Sequence, residues 1–277
     1  MTLTIHEKIE QRSEEWYEQR RGIVTASVIG NLITSRRLTA IDYTCPKCAA
    51  PANDPCLGQK GQPLATKHSE RAEEARRHSS APVLEVASND DSRSLTALLV
   101  SERVTGWTYP TFVSDDMYRG IEHEPIARSL YAAKESVSVS EVGFMVRDDW
   151  GPKLGYSPDG LVGEDGLLEV KCPRPKSHMN TIIANAVPPE HVPQLQAGLL
   201  VSGRKWIDFV SFCAGMPLFI RRVYPNVEWQ RIIVEAVRRF EDNAIELARI
   251  YHENAAGLEA TERIVNEYNP DVELEAS

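Results

Sequence analysis

Long apolar runs are missing from this chain: across 277 residues no uninterrupted stretch approaches the roughly 20 needed to span a bilayer. Its start, MTLTIHEKIEQRSEEW, has neither the basic opening nor the apolar segment of a secretory leader. Both absences point to a soluble protein of the cytoplasm. Cysteine is sparse, five residues, and three of them crowd into one short segment, which suits a metal site in a reducing compartment better than a disulfide framework. No internal repeat appears at solenoid or propeller periods. Positive charge is also short. With 31 Lys and Arg against 40 Asp and Glu the formal charge is −9, whereas a phosphate-rich partner normally demands a basic surface. The deficit is uneven, however. Residues 256–277 hold six acids (Glu259, Glu262, Glu267, Asp271, Glu273, Glu275) against Arg263 alone, while basic groups cluster at Arg20-Arg21, Arg36-Arg37, Arg174-Pro-Lys176 and Arg221-Arg222. A local field matters more than the sum, so charge excludes no nucleic-acid partner.

What is present is enough apolar residue, 42%, to bury a real core. A first helix is expected within residues 13–34, with Thr25 as N-cap and Ala26, Ile29 and Ile33 on one face. From about residue 36 to 94 the composition turns to Cys, Pro, Gly and charge and core-forming periodicity is lost, so this stretch reads as an insertion. Helical pattern returns at Ser94–Thr105 and at Asp116–Lys134, where Ile126, Leu130 and Ala133 form an apolar stripe and Pro125 should start or kink the helix. Strands are expected at Val137–Val146, Leu154–Val162 and Leu167–Cys172 as an antiparallel meander. A helix at Glu190–Val201, strands at Trp206–Phe212 and Leu218–Val223 and a long amphipathic helix over Val227–Tyr251 complete the order. The acidic tail, with few apolar residues, is expected to be mobile.

The chemistry concentrates in Ser157-Pro-Asp159-Gly160, eight residues, then Glu169-Val-Lys171. Side chains alternate along a strand, so Glu169 and Lys171 share one face while Leu168 and Val170 take the other, and a hairpin-like connection would bring Asp159 beside Glu169. Hard oxygen ligands at this spacing suit Mg²⁺, and a lysine two residues on can hold an attacking water and offset charge developing on a phosphorane-like transition state. Further acids stand upstream at Glu124 and Asp148-Asp149, and Gln194 and Gln196 lie in a helix that could pack across the same place. His123, although next to Glu124, is expected to point elsewhere. The five tryptophans read as packing rather than as base-stacking platforms.

A second constellation is Cys45-Pro-Lys-Cys48, seven residues, Cys56, eleven residues, His68. Three thiolates and an imidazole satisfy a closed, tetrahedral and therefore structural Zn²⁺ site, with His78 as the alternative fourth ligand. The segment, including its His68-x-x-Arg71 ending, resembles a small zinc finger of phage and actinobacterial proteins. The stretch Arg71–Arg77 could meet DNA, or the module could dock a partner or only stabilise. Cys172 and Cys213 read as buried, inert thiols.

Taken together, the chain resembles the lambda-exonuclease or YqaJ-type viral recombinase nucleases, a phage and prophage branch of the PD-(D/E)xK superfamily. Five blocks carry the resemblance in order: Trp16 with Arg20-x-Gly22-Ile-Val-Thr25-Ala-Ser27; Gly120-x-x-x-Glu124-x-x-Ala127; Ser157-Pro-Asp159-Gly160; Leu168-Glu169-Val-Lys171-Cys172-Pro173; and Gln194-x-Gln196. It implies an α/β (α+β) restriction-endonuclease-like fold, a central mixed sheet flanked by helices, as one nuclease domain over residues 1–277 with a zinc insertion at 41–80. It implies a Mg²⁺ (or Mn²⁺) phosphodiesterase in which Asp159 and Glu169 bind the metals, Glu124 contributes from its helix, Lys171 positions the water, and Gln194 orients water or substrate. Asp148 takes the upstream acid position, with Asp149 as the alternative. The family's tyrosine three residues before the glutamine is His191 here, which leaves that position's role open. Arg20, Thr25 and Ser27, read also as a helix N-terminus favouring an anion, become a pocket for a 5′-terminal phosphate. The implied activity is 5′-to-3′ digestion of linear duplex DNA ends, with a single-strand annealing recombination protein as partner and a homotrimeric assembly. A non-catalytic DNA-end-binding adaptor and an endonuclease of the same chemistry stand as alternatives.

Overall fold

Two sheets, joined where the chain crosses between them at residues 141–143 and again at 157–159, set up the molecule. The computed structural model describes residues 3–7, 9, 13–78, 82–109 and 114–264. In chain order the elements are β1 (Leu3–His6), α1 (Glu14–Arg20), β2 (Val24–Thr25), β3 (Ile33–Arg36), α2 (Ser69–Arg77), β4 (Val83–Val86), α3 (Asp90–Thr105), α4 (Asp115–Glu135), β5 (Val139–Ser140), β6 (Phe144–Arg147), β7 (Leu154–Tyr156), β8 (Gly160–Val162), β9 (Gly166–Lys171), α5 (Pro175–Ala184), α6 (Val192–Ser202), β10 (Trp206–Ser211), β11 (Phe219–Val223) and α7 (Val227–Ala255). A four-stranded sheet runs β1-β6-β7-β2 and a five-stranded sheet β11-β10-β9-β8-β5. In the latter, β9 and β10 are parallel and the other pairs antiparallel. This is the mixed α/β, restriction-endonuclease-like arrangement of sheets flanked by helices. Among the described residues no helix is long and apolar enough to cross a membrane.

Alternation along β9 divides the core. Leu167 faces a large cluster with Val24, Ile29, Leu99, Leu154, Leu195, Ile207, Phe209, Ile233 and Phe240, closed by α3, α6 and α7. Leu168 and Val170 face a second cluster with Ala127 and Tyr131 of α4 and Val210 and Phe212 of β10. Helix α6 lies so close to β7 that a Cβ on Gly198 would stand 2.8 Å from the Tyr156 ring.

Four expectations change. No helix begins at Thr25: it ends β2, paired parallel to Leu154–Gly155, and Ala26 N–H donates to the Gly155 carbonyl, so a sheet bond takes the group a helix start would leave free. Only a 3₁₀ turn, Ile29–Leu32, follows. The meander breaks at Ser157-Pro-Asp159, where the chain passes from β7 in one sheet to β8 in the other; a proline has no N–H for a ladder. On α4 the buried positions are Ala127 and Tyr131, while Ile126 and Leu130 are about half exposed and Ala133 is exposed. That helix starts at its Ser114 cap and continues through Pro125. Finally, α5 lies where no helix is expected, opening with Pro175 in its first turn. Residues 256–264 are exposed coil, and the rest of the tail, 265–277, lies outside the described residues.

The Cys-rich segment hangs from a ribbon. β3 and β4 pair antiparallel from Ile33↔Val86 to Arg36↔Val83, so the segment leaves and re-enters at facing residues.

Candidate active site and zinc centre

Backbone geometry at the end of β7 builds the acidic site. Beyond Tyr156 the chain crosses between sheets, and Asp159 Oδ2 accepts the Val170 N–H at 2.6 Å, which pins it against β9. On that strand Glu169 is buried, and its carboxylate takes Tyr156 Oη–H at 3.1 Å, Lys171 Nζ at 2.7 Å and the Gln194 side-chain amide. Gln194 arrives from the first turn of α6. Glu124 comes from α4, ion-paired to Arg128 at 2.6 Å.

The electrostatics are those of crowded carboxylates. Burial, then Glu169, then Glu124 push the Asp159 carboxyl well above its usual range. Burial works against the Lys171 ammonium, but Glu169, Asp159 and Glu124 outweigh it and hold its pKa above the ordinary lysine value. Cys172, on the next residue, is pushed up to about 11 by burial and then by Glu124 and Asp159. The ionised Asp159, disfavoured by burial and by the neighbouring carboxylates, would be favoured by a divalent cation, and hard oxygen donors of this kind fit Mg²⁺.

The structure thus brings Glu124, Asp159, Glu169, Lys171 and Gln194 to one place. It does not bring Asp148. In the β6/β7 pair Arg147 lies opposite Leu154, so Asp148 sits by the start of β7, whereas Asp159 follows its other end. Asp149, the alternative, shares that location and pairs with Arg147 Nε at 3.3 Å. Tyr156, which the sequence reading passes over, belongs to the site; its only signal is its place just before the Ser-Pro-Asp turn. His191 stacks on Phe209 and borders a cavity of ≈ 590 Å³ that also touches Lys171, Pro173, Thr181 and Val187. Burial, with Lys171 adding to it, pulls this imidazole down to about 4. His123 packs edge-on to Phe212 instead.

The N-terminal residues form a cluster without the expected helix terminus. Arg20 reaches Thr25 Oγ1 at 3.5 Å and Ser157 Oγ at 3.4 Å, Thr25 and Ser27 hydroxyls lie 3.1 Å apart, and Trp16 Nε1–H donates to Ser157 Oγ at 3.0 Å while its ring carries the Arg20 guanidinium at 3.9 Å. Burial pulls Arg20 down to about 10, still a cation at neutral pH. Ser157, two residues before Asp159, connects this cluster to the acids.

In the insertion, the ligand atoms of Cys45, Cys48, Cys56 and His68 all lie within 4.8 Å of one another. Cys48 Sγ accepts the Leu57 N–H and Cys56 Sγ the His68 N–H, each at 3.4 Å, and His68 Nδ1 faces Cys45 Sγ at the same distance. The Leu57 N–H is the largest influence drawing the Cys48 thiol down to about 6, which favours the thiolate a metal needs. Three thiolates and one imidazole fit structural Zn²⁺ with no position left for water. His78 is no ligand: it stacks on Tyr43 and bonds Glu74. Arg71 does not face outward either. Fully buried, it donates to the carbonyls of Tyr43, Asp54, Ile41 and Pro51.

The crystal structure of an alkaline exonuclease, LHK-Exo, from Laribacter hongkongensis is similar over 89% of this chain and 100% of that one, at 27% identity and a TM-score of 0.62. The structure of LHK-Exo in complex with dAMP is similar over the same shares, at 26% identity and a TM-score of 0.63. No curated protein matches. The model of the YqaJ-like viral recombinase domain matches residues 15–205, a span that holds the acid cluster, the Arg20 cluster and the cysteine module, and the chain therefore belongs to that family.

Proposed function

We propose that this protein is a metal-dependent deoxyribonuclease that digests linear duplex DNA 5′ to 3′ and leaves single strands for phage-type recombination. The observation that carries the reading is the buried Glu169 carboxylate gripped by Lys171, Gln194 and Tyr156 with Asp159 pinned beside it. Asp159, Glu169 and Glu124 would hold Mg²⁺ or Mn²⁺, which supplies Lewis-acid polarisation of the scissile phosphate. Lys171, charged and lining the cavity beside His191, has N–H groups left over from its bond to Glu169 with which to orient a water. Gln194 keeps Glu169 in register. The Arg20, Thr25, Ser27 and Ser157 cluster offers a cation and hydroxyl donors to a terminal 5′ phosphate, and its link through Ser157 to Asp159 joins end recognition to cleavage. Support also comes from LHK-Exo, an alkaline exonuclease studied with a bound mononucleotide. Action in the bacterial cytoplasm with a single-strand annealing protein, as a homotrimer, belongs to the same reading.

The test is digestion of a 5′-phosphorylated linear duplex with Mg²⁺, beside a circular duplex and a Lys171→Ala variant. Loss of the 5′ strand from linear DNA alone, abolished by the substitution, is expected. Cleavage of the circle would make the enzyme an endonuclease, and end binding without cleavage under any metal would make it an adaptor.

A further inference from the structure

Among the described cations around the acid cluster, Arg128 has no part in the chemistry above and touches one of its carboxylates directly. Arg128 lies one helical turn after Glu124 on α4, with its side chain only 14% exposed. One guanidinium nitrogen, Nη2, holds Glu124 Oε1 at 2.6 Å, and the other, Nη1, holds Glu141 in the segment between β5 and β6. The Nε is buried with no partner. A planar fork used at both tips fixes orientation as a lysine ammonium does not. Only one oxygen of Glu124 is spoken for by this contact, and Glu124 acts on Asp159, Lys171 and Cys172.

We infer that Arg128 is a positioning residue for the metal site: by occupying Glu124 Oε1 and bracing against Glu141 it holds the second oxygen toward Asp159 as a ligand for a divalent cation. This rests on the metal-dependent reading above. The alternative, that Arg128 is only a neighbouring positive charge, makes the opposite prediction. Removing a cation beside three carboxylates should then tighten metal binding, whereas removing a brace should loosen it.

Calorimetric titration of Mg²⁺ and Ca²⁺ into the full-length protein distinguishes the two, alongside the Mg²⁺ midpoint for DNA digestion. Expected is a tenfold or greater weakening in Arg128→Met, only partly recovered in Arg128→Lys, which restores the charge but not the fork. The digestion midpoint should rise in parallel, with most of the maximal rate regained at saturating Mg²⁺. Glu141→Ala, on an exposed side chain, removes the brace without touching α4 and should weaken binding about threefold; it carries the test if Arg128→Met does not fold. Unchanged or tighter binding in these variants overturns the inference. If the wild type itself binds no more cation than Asp159→Asn, it is the metal-dependent reading that fails instead.

Discussion

Replacing Arg71 by methionine asks whether the zinc module is assembled around a buried cation as well as around its metal. The guanidinium donates to four carbonyls and reaches Cys56 Sγ at 3.6 Å. Two of those carbonyls have a second donor, the Asn53 N–H on Ile41 and the Asp54 N–H on Pro51. The substitution therefore takes the donor from two, Tyr43 and Asp54. Hydrogen bonds from a charged donor are worth roughly 1.5–3 kcal/mol each, so losing these two part-buried bonds costs the module about 4 kcal/mol. In small metal-organised modules the free energy of zinc binding is largely that of folding. The loss should then appear as zinc bound about a thousandfold more weakly, at about 1.4 kcal/mol per factor of ten. Competition against a chelator of known affinity measures it directly, and limited proteolysis should show new cuts between residues 41 and 78 with the remainder intact. An Arg71→Met protein that holds zinc within tenfold of wild type and gives the same cleavage pattern would refute the reasoning.

Other substitutions probe the scaffold. Gly22 has φ +68°, its N–H bonds Glu102 at 2.8 Å, and an added Cβ would stand 2.4 Å from Arg103 Cγ, so Gly22→Ala should lower stability by about 2–4 kcal/mol in urea unfolding; an unchanged midpoint would contradict this. Asp208, buried, takes both Tyr131 Oη–H at 2.7 Å and Arg222, so Asp208→Ala should cost about 3 kcal/mol and Tyr131→Phe about 1, and equal effects would show that the shared carboxylate is not the centre. His191 has a folded pKa of about 4 against an ordinary 6.5, so its contribution is whole above pH 6.5 and is lost as pH falls toward 4. The Tm of His191→Gln should therefore gain on wild type over that window, and parallel curves would rule the effect out.

Much of the site could be read from spacing because a strand has a fixed period. Glu169 and Lys171 two apart, and Leu168 and Val170 between them, leave no choice of faces. What escaped was set by contacts far apart in sequence. Thr25 followed by an apolar pattern reads as a helix start, yet the Gly155 carbonyl captures the next N–H and makes a strand. The stripe Ile126, Leu130 and Ala133 is a genuine helical periodicity, but the five-stranded sheet meets the neighbouring face, at Ala127 and Tyr131. Asp148 beside Asp149 looks like a ligand until the β6/β7 register carries it to the other end of β7. Trp16 and Arg71 were hidden by their type: a tryptophan suggests packing and an arginine in a basic run suggests surface, and here each donates to a particular oxygen. Helix α5 has no apolar stripe to announce it, and its opening Pro175, a breaker inside a helix, is also a residue that begins one in the first turn.

The paired ends of β3 and β4 bear on how such a protein could acquire a metal module at all. Since Arg36 and Val83 already face each other, a folded unit grafted between them brings its own closed ends and adds little loop entropy to the host. The same register places the two ends at the spacing a two-residue turn closes, so a chain cut back to that turn would ask of the acid cluster alone what it can do without the metal module.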